Sequence, residues 1–340
     1  MAKILVTGGC GYIGSHTVVD LITAGYEVIS LDNFTNSDVS VLEVIYQITQ
    51  KHIKNYAVDL LDKNALEQVF QENPDIDSII HFAALKSVNE SVNEPFLYYS
   101  NNITGLLNLL DFTLKFNIGR FIFSSSCSVY GDSDDQPVTE NSELKEAQCP
   151  YAYTKQAGER IIEDIVKANP LLSAVILRYF NPAGAHESAM IGESSRNIAS
   201  NLVPVITETA MGKRNVMHVF GTDYDTRDGS CIRDYIHVMD IAHAHTLAVQ
   251  YLQKNISDIH RSIIFNLGTG VGVSVFEAIQ AFERATGHKL NYTMGPRREG
   301  DVIAVYADNQ KAKKMLGWQP KYNIDEIMRT AWLWEQKRSC

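Results

Sequence analysis

Residues 3–14 read Lys3-Ile4-Leu5-Val6-Thr7-Gly8-Gly9-Cys10-Gly11-Tyr12-Ile13-Gly14, an apolar run that enters a glycine-rich turn. Residues 15–24 then carry apolar side chains at helical spacing (Val18, Val19, Leu21 and Ile22), Gly25 ends that stretch, and residues 27–31 read as a second strand. Strand, glycine turn, helix and strand in this order make the first half of a dinucleotide-binding unit. The glycines permit a tight turn, close approach to a pyrophosphate and packing of the helix on the sheet, while the helix N-terminus offers N–H groups to phosphate. The triplet fits two registers, Gly8/Gly11/Gly14 or Gly9/Gly11/Gly14. Asp32 closes the second strand, where an acidic side chain accepts hydrogen bonds from an adenosine ribose and repels the extra phosphate of NADP. The expected cofactor is therefore NAD.

Outward from this unit, residues 55–58, 78–82, 120–124 and 174–178 are rich in Ile, Val and Phe, as strands buried on both faces are. Between them, 63–73, 95–116 and 151–168 have helical spacing and length. The alternation predicts the α/β class: a Rossmann-type, doubly wound parallel sheet with a smaller C-terminal substrate domain. Asn181-Pro182-Ala183-Gly184 breaks the pattern, and the chain to Gly229 is loop-rich. An NAD-binding domain is expected over 1–180, with 236–267 crossing back to its sheet, and 181–340 is expected to form mainly the substrate domain.

Of the 340 residues, 45% are hydrophobic and 21% charged, and the net charge of −10 speaks against a partner as anionic as nucleic acid. No apolar run approaches a membrane span, and the strand at 3–7 leaves no room for a signal peptide, so no membrane partner and a cytoplasmic location are expected. Cys10, Cys127, Cys149, Cys231 and Cys340 are scattered, without the close pairing of a metal or redox motif, and Cys340 stands too late for a prenylation box. His243 and His245 are two apart on a helical stretch and point different ways, so no metal is expected of them with His237 and Asp240. The glycines at 268, 270 and 272 lack the lysine of a P-loop and read as a turn beside the nucleotide, and Trp332 and Trp334 read as packing.

Chemistry enters at Pro150-Tyr151-Ala152-Tyr153-Thr154-Lys155, which opens a helix. Tyr151 and Lys155, four apart, share a face. A phenol is a poor base at neutral pH, but an adjacent ammonium and a nicotinamide cation both favour its phenolate, so the pair suits a proton shuttle. Upstream, the strand Phe121-Ile122-Phe123 ends in Ser124, Ser125, Ser126, Cys127 and Ser128, placing hydroxyls at the sheet edge where such folds bind ligands.

The glycine turn, Ser126 and Tyr151-x-x-x-Lys155 resemble the hallmark of the extended short-chain dehydrogenase/reductase family. Residues 7–16, 81–86, 178–185, 233–240 and 296–301 extend the likeness along essentially the whole chain, to that family's UDP-glucose 4-epimerase branch. The resemblance implies interconversion of UDP-glucose and UDP-galactose by reversible oxidation at sugar C4 through a 4-ketose. Tyr151 would move the 4-hydroxyl proton, Ser126 would bridge tyrosine and sugar, and Lys155 would also hydrogen-bond the nicotinamide ribose. It implies NAD contacts from Gly8, Gly11, Tyr12, Ile13, Gly14, Asp32, Asn33, Asn36, Ser37, Asp59, Leu60, Phe82, Ala83, Lys86, Asn101, Ser124, Tyr151, Lys155 and Tyr179. For the UDP-hexose it implies Lys86, Ser126, Tyr151, Phe180, Asn181, Asn201, Leu202, Phe220, Arg233, Tyr235, Val271, Arg298, Asp301 and Val305, with Arg233 and Arg298 on the diphosphate. Val305 would line the sugar, and so small a residue leaves room for the N-acetyl group of UDP-GlcNAc or UDP-GalNAc. A homodimer is implied, formed by the helices near 95–116 and 151–168. Sugar-nucleotide 4,6-dehydratases share the domain but resemble a Thr-Asp-Glu run where this chain has Ser126-Cys127-Ser128, which supplies no carboxylate for elimination. The alternative of another class is a non-catalytic NAD-binding scaffold, which has no need to keep Ser126, Tyr151 and Lys155 together.

Overall fold

The computed structural model describes residues 1–133, 136–194, 199–255, 261–298 and 301–339, so the motif positions Glu299 and Gly300, and Cys340, lie outside the described residues. The strands are β1 (Lys3–Thr7), β2 (Glu27–Leu31), β3 (Lys54–Tyr56), β4 (Ile76–His81), β5 (Arg120–Ser126), β6 (Ser173–Tyr179), β7 (Asn181–Ala183), β8 (Met217–Phe220), β9 (Ile232–Arg233), β10 (Tyr235–His237), β11 (Ser262–Leu267), β12 (Val273–Ser274), β13 (Tyr292–Gly295) and β14 (Ala304–Val305). The helices are α1 (Tyr12–Thr23), α2 (Ser40–Thr49), α3 (Lys63–Glu72), α4 (Val88–Asn93), α5 (Pro95–Tyr99), α6 (Gly105–Lys115), α7 (Pro150–Ala168), α8 (Leu202–Ala210), α9 (Val238–Lys254), α10 (Val275–Thr286), α11 (Gln310–Leu316) and α12 (Ile324–Arg338).

Seven strands form one sheet in the order β11-β6-β5-β4-β1-β2-β3. β1 runs parallel to both β2 and β4, and β5 parallel to β4. The order reverses between β1 and β4, so the crevice at their C-terminal ends is the place where a doubly wound sheet binds its ligand. The central strands are buried because helices cover them, whereas the edge strand β3 is not: Leu5, Ile79, Phe121 and Phe123 pack with Leu109 and Phe112 of α6 and Ile162 of α7. Among the described residues, no helix is long and apolar enough to cross a membrane.

The chain forms two compact units, one of Met1–Gly131, Leu144–Arg178 and Ala242–Phe265, the other of Asp132–Glu143, Tyr179–Ile241 and Asn266–Cys340. Residues 132–143, which the sequence pattern groups with the first domain, belong to the second. The cause is backbone pairing: Val138 N donates to Tyr306 O at 3.0 Å, and Asn266 Nδ2 donates to Val138 O at 3.0 Å. The core of the second unit joins Val203 and Ile206 of α8, Met217 and Val219 of β8, Phe282 of α10 and Met328 of α12.

Three local differences from the sequence pattern have physical causes. The first helix starts at Tyr12, inside the glycine motif, with Gly11 as its N-cap. The stretch 95–116 is not one α-helix, because Ser100–Thr104 winds as a π-helical turn between α5 and α6. There Asn102 is turned inward, its Oδ1 accepting from Leu85 N at 2.9 Å and its Nδ2 donating to Leu85 O at 3.0 Å and to Thr154 Oγ1 at 3.1 Å. α2 shows no signal strong enough to be read beforehand: its N-cap, Val39, makes no side-chain bond and only Ile45 is buried.

Candidate active site

The glycine turn closes over the end of β1. Gly11 N donates to Gly8 O at 3.0 Å and Gly8 N to Leu31 O at 2.8 Å. Gly8 takes a positive φ of 69°, and a Cβ on Gly14 would lie 2.1 Å from Gly8 O. The Gly8/Gly11/Gly14 register is thus the one in which the turn and α1 meet, while Gly9 packs on Ser30. Gly11, the N-cap of α1, has no side chain with which to cap the helix, and a helix N-terminus is where backbone N–H groups and the dipole favour phosphate. At the end of β2, Asp32 is fixed by three donors: Cys10 N at 3.0 Å, Phe34 N at 2.9 Å and Ser37 Oγ at 2.7 Å. Asn33 Nδ2 reaches Asp59 Oδ2 at 3.0 Å, and Asn36 is exposed on the same loop. Leu60 is buried under α6, whose Asn108 Nδ2 donates to Leu60 O at 2.9 Å. Across the switch point, Phe82 N donates to Thr7 O at 3.1 Å, which brings Phe82 and Ala83 against the turn. Lys86 lies exposed on the loop after β4, and Asn101 lies in the π-helical turn.

Ser124, Ser125 and Ser126 end β5, and a 3₁₀ turn (Cys127–Tyr130) follows. α7 begins with Pro150 at its first position, and Cys149 Sγ accepts from Ala152 N. This start points Tyr151 and Lys155 at the end of β5. Lys155 Nζ donates to Ser124 O at 2.7 Å and lies 5.9 Å from the Tyr151 ring centroid, and the Ser126 hydroxyl is hydrogen-bonded to the Tyr151 phenol. Ser126, Tyr151 and Lys155 are thereby brought together at the sheet edge that carries the glycine turn. Burial pushes the Tyr151 phenol up to about 12, with the Ser126 bond acting the other way. Burial likewise pushes Lys155 down to about 8, opposed by Glu159. Sequence reasoning expects the ammonium and a nicotinamide cation to favour the phenolate; in the folded chain burial is the largest influence on each group and disfavours the charged form of both.

The second unit carries the remaining sequence-predicted residues. Tyr179 and Phe180 are buried, and Asn181 of β7 stands in register with Tyr235 of β10. Arg233 of β9 is flanked by Val273 of β12 and Val305 of β14, and its guanidinium lies 3.6 Å from Asp301. Arg298 is exposed, and its carbonyl accepts from Asp301 N at 3.3 Å. Phe220 ends β8 half-exposed, opposite Gly295, and Val271 is exposed on the turn before β12. Asn201 caps the start of α8 without a side-chain cap bond, its Nδ2 donating to Glu193 at 2.7 Å, and Leu202 begins that helix.

Sequence reasoning names Asn181 as a substrate contact, but not Ser128, Asp234 or His81. Ser128 Oγ and Asn181 Oδ1 are buried without a hydrogen-bond partner, the condition of a polar atom that a ligand would satisfy. Asp234 is wholly buried, and its two oxygens accept from Thr269 N, Thr269 Oγ1, Gly270 N and Ala307 N, tying down the turn that leads to Val271 and the residues after Val305. Its place between Arg233 and Tyr235 was the available signal. His81, also buried, shares a 2.7 Å bond with Thr7 Oγ1 at the switch point.

A protein-family profile described as GDP-mannose 4,6 dehydratase matches residues 5–331. The UDP-glucose 4-epimerase of Haemophilus influenzae is 47% identical over 333 residues, spanning 98% of this chain and 97% of that protein. Among solved structures, a UDP-glucose 4-epimerase from Stenotrophomonas maltophila with bound NAD and formylated UDP-arabinopyranose superposes with a TM-score of 0.96 at 42% identity, covering 100% of this chain and 99% of the other. One from Bifidobacterium longum in complex with NAD+ and UDP gives a TM-score of 0.94 at 44% identity, covering 99% of each. With identity of this extent over the whole length of both partners, the chain belongs to the UDP-glucose 4-epimerase family of the extended short-chain dehydrogenases/reductases.

Proposed function

We propose that this protein interconverts UDP-glucose and UDP-galactose with bound NAD, through a 4-keto sugar, and acts in the same way on UDP-GlcNAc and UDP-GalNAc. The observation that carries the reading is the meeting of Ser126, Tyr151 and Lys155 at the end of β5. A dinucleotide fits the neighbouring edge, because the glycine turn packs directly on the N-terminus of α1, whose N-cap Gly11 carries no side chain that would stand between the helix and a phosphate. Gly8, Gly11, Tyr12, Ile13 and Gly14 would hold its pyrophosphate, Asp32 its adenosine ribose, and Asp59 its adenine. When bound, NAD supplies a hydride acceptor and donor at sugar C4.

Tyr151 takes the 4-hydroxyl proton and returns it, and Ser126 relays the hydrogen bond between phenol and sugar oxygen. Burial keeps the phenol protonated in the protein alone, and a positive charge brought beside it favours proton release. Lys155, held by Ser124 O, keeps its charge at hand and reaches the nicotinamide ribose. Arg233 and Arg298 grip the diphosphate, while Phe180, Asn181, Asn201, Leu202, Phe220, Tyr235, Val271 and Asp301 bind the rest of the nucleotide sugar. Strong grip on the UDP and weak grip on the hexose let the keto sugar present either face. Ser126-Cys127-Ser128 offers no carboxylate for elimination, so dehydration is not the reading.

The protein is further read as a homodimer. Phe96 is 84% exposed and Tyr153 51%, and with Leu97 and Leu107 they leave an apolar surface on α5, α6 and α7. A cytoplasmic setting accords with Cys10, Cys127, Cys149 and Cys231, none of which is in a disulfide.

A coupled assay of UDP-galactose conversion without added cofactor, repeated with UDP-GalNAc, tests the function. Turnover of both is expected, and Tyr151→Phe should lower it by roughly two to four orders of magnitude while NAD stays bound. A wild-type protein that holds NAD and turns over neither substrate would be a scaffold, and the proposal would be wrong.

A further inference from the structure

A buried ion pair brackets the candidate catalytic serine. Arg178 of β6 donates from Nε to Glu159 Oε1 at 2.9 Å and from Nη2 to Glu159 Oε2 at 2.6 Å. Its Nη1 donates to the Tyr130 hydroxyl oxygen at 2.9 Å, and Ser125 Oγ donates to Glu159 Oε1 at 2.5 Å. All four side chains are buried. Ser125 immediately precedes Ser126, and Tyr130 ends the turn that follows it. Glu159 lies one helical turn beyond Lys155 on α7, the helix that also carries Tyr151.

An ion pair so deeply buried contributes little net stability, because desolvating two charges offsets their attraction. What it does supply is a fixed geometry, since a bidentate guanidinium–carboxylate pair with its remaining donors and acceptors matched tolerates little displacement. We propose that the Arg178–Glu159 pair is a clamp that positions Ser126 against Tyr151 and Lys155, by holding Ser125 on one side of it and Tyr130 on the other. Arg178 and Glu159 are positioning residues that act through these two neighbours. Lys155 completes the arrangement by holding the carbonyl of Ser124. β5, β6 and α7 are thus joined at the one point where the serine hydroxyl must meet the phenol.

This inference rests on the proposed epimerase reading. Removing Glu159 alone would strand a buried guanidinium and endanger folding, so the test uses Ser125→Ala and Tyr130→Phe, each of which leaves both Arg178–Glu159 bonds intact. For the wild type and both variants, kcat and KM for UDP-galactose, NAD content and thermal midpoint are measured. Each variant is expected to lose roughly ten- to a hundredfold in kcat, the cost of about 1 Å of slack at a reacting group, with KM and NAD content unchanged. Undiminished kcat in both variants overturns the clamp even if their thermal midpoints fall, and so does a raised KM at constant kcat. The wild type separates the two claims: its turnover beside fully active variants overturns the clamp alone, whereas no wild-type turnover overturns the epimerase reading and the clamp with it.

Discussion

Val305 illustrates what a single side chain can decide. It is buried to 7% exposure at the end of β14, paired with Arg233, the candidate diphosphate ligand. Under the proposed reading, a small side chain there would leave volume for the 2-acetamido group of an N-acetylhexosamine, which a phenol would occupy. Val305→Tyr is therefore expected to lower turnover of UDP-GlcNAc by tenfold or more, roughly the 1–3 kcal/mol that pocket shape commands, while leaving UDP-glucose within about twofold. Steady-state rates for both substrates check this, and equal losses would show that Val305 merely packs. At this scale the sequence is informative for Tyr151 and Lys155, because helical spacing alone places them on one face. It places Ser125 among the hydroxyls ending β5 and Arg178 at the head of a family stretch but does not join them, since nothing local marks Glu159, one turn past the lysine, as the partner of an arginine on another strand.

Elements show why glycine spacing is a requirement rather than a habit. Gly14 sits in α1, where replacing glycine with alanine ordinarily gains about 1 kcal/mol of helix stability. Here the added Cβ would lie 2.1 Å from Gly8 O, a backbone atom that cannot turn aside, so α1 or the turn must move. Gly14→Ala is expected to purify with little NAD and a lowered thermal midpoint, measured by absorbance ratio and calorimetry. Full NAD content would show that the Gly8–Gly14 approach is dispensable. The π-helical turn at Ser100–Thr104 is a second case of tertiary demand on an element. Its apolar spacing looks helical throughout 95–116, and the extra residue in the turn is accommodated by Asn102, whose side chain bonds both backbone groups of Leu85. Those bonds depend on a loop distant in sequence, which spacing along 95–116 cannot reveal.

At the scale of the whole molecule, the apolar surface around Phe96 and Tyr153 carries its own prediction. The Tyr99 and Tyr153 rings already meet edge to face, with centroids 5.8 Å apart, giving α5 and α7 a shared exposed face. Phe96→Glu is expected to shift the protein from dimer to monomer in sedimentation velocity while its far-ultraviolet dichroism stays unchanged. A wild type that sediments as a monomer would refute the dimer. The chain path also belongs to this scale, since each unit is assembled from three separated segments. Loop-rich composition after Phe180 signals the main crossing, but the short excursion at 132–143 carries no compositional mark, because it is held by pairing to residues near 266 and 306.

By itself, the sequence determined the dinucleotide unit, the parallel α/β alternation and the Tyr151–Lys155 pair, all of which rest on periodicity and short-range spacing that steric rules convert directly into structure. Only the tertiary structure decided which glycine register packs, that desolvation governs the acidity of Tyr151 and Lys155, and that Arg178 and Glu159 meet behind Ser126. Burial and long-range pairing belong to the assembled molecule, because they depend on which distant segments displace water from a given atom.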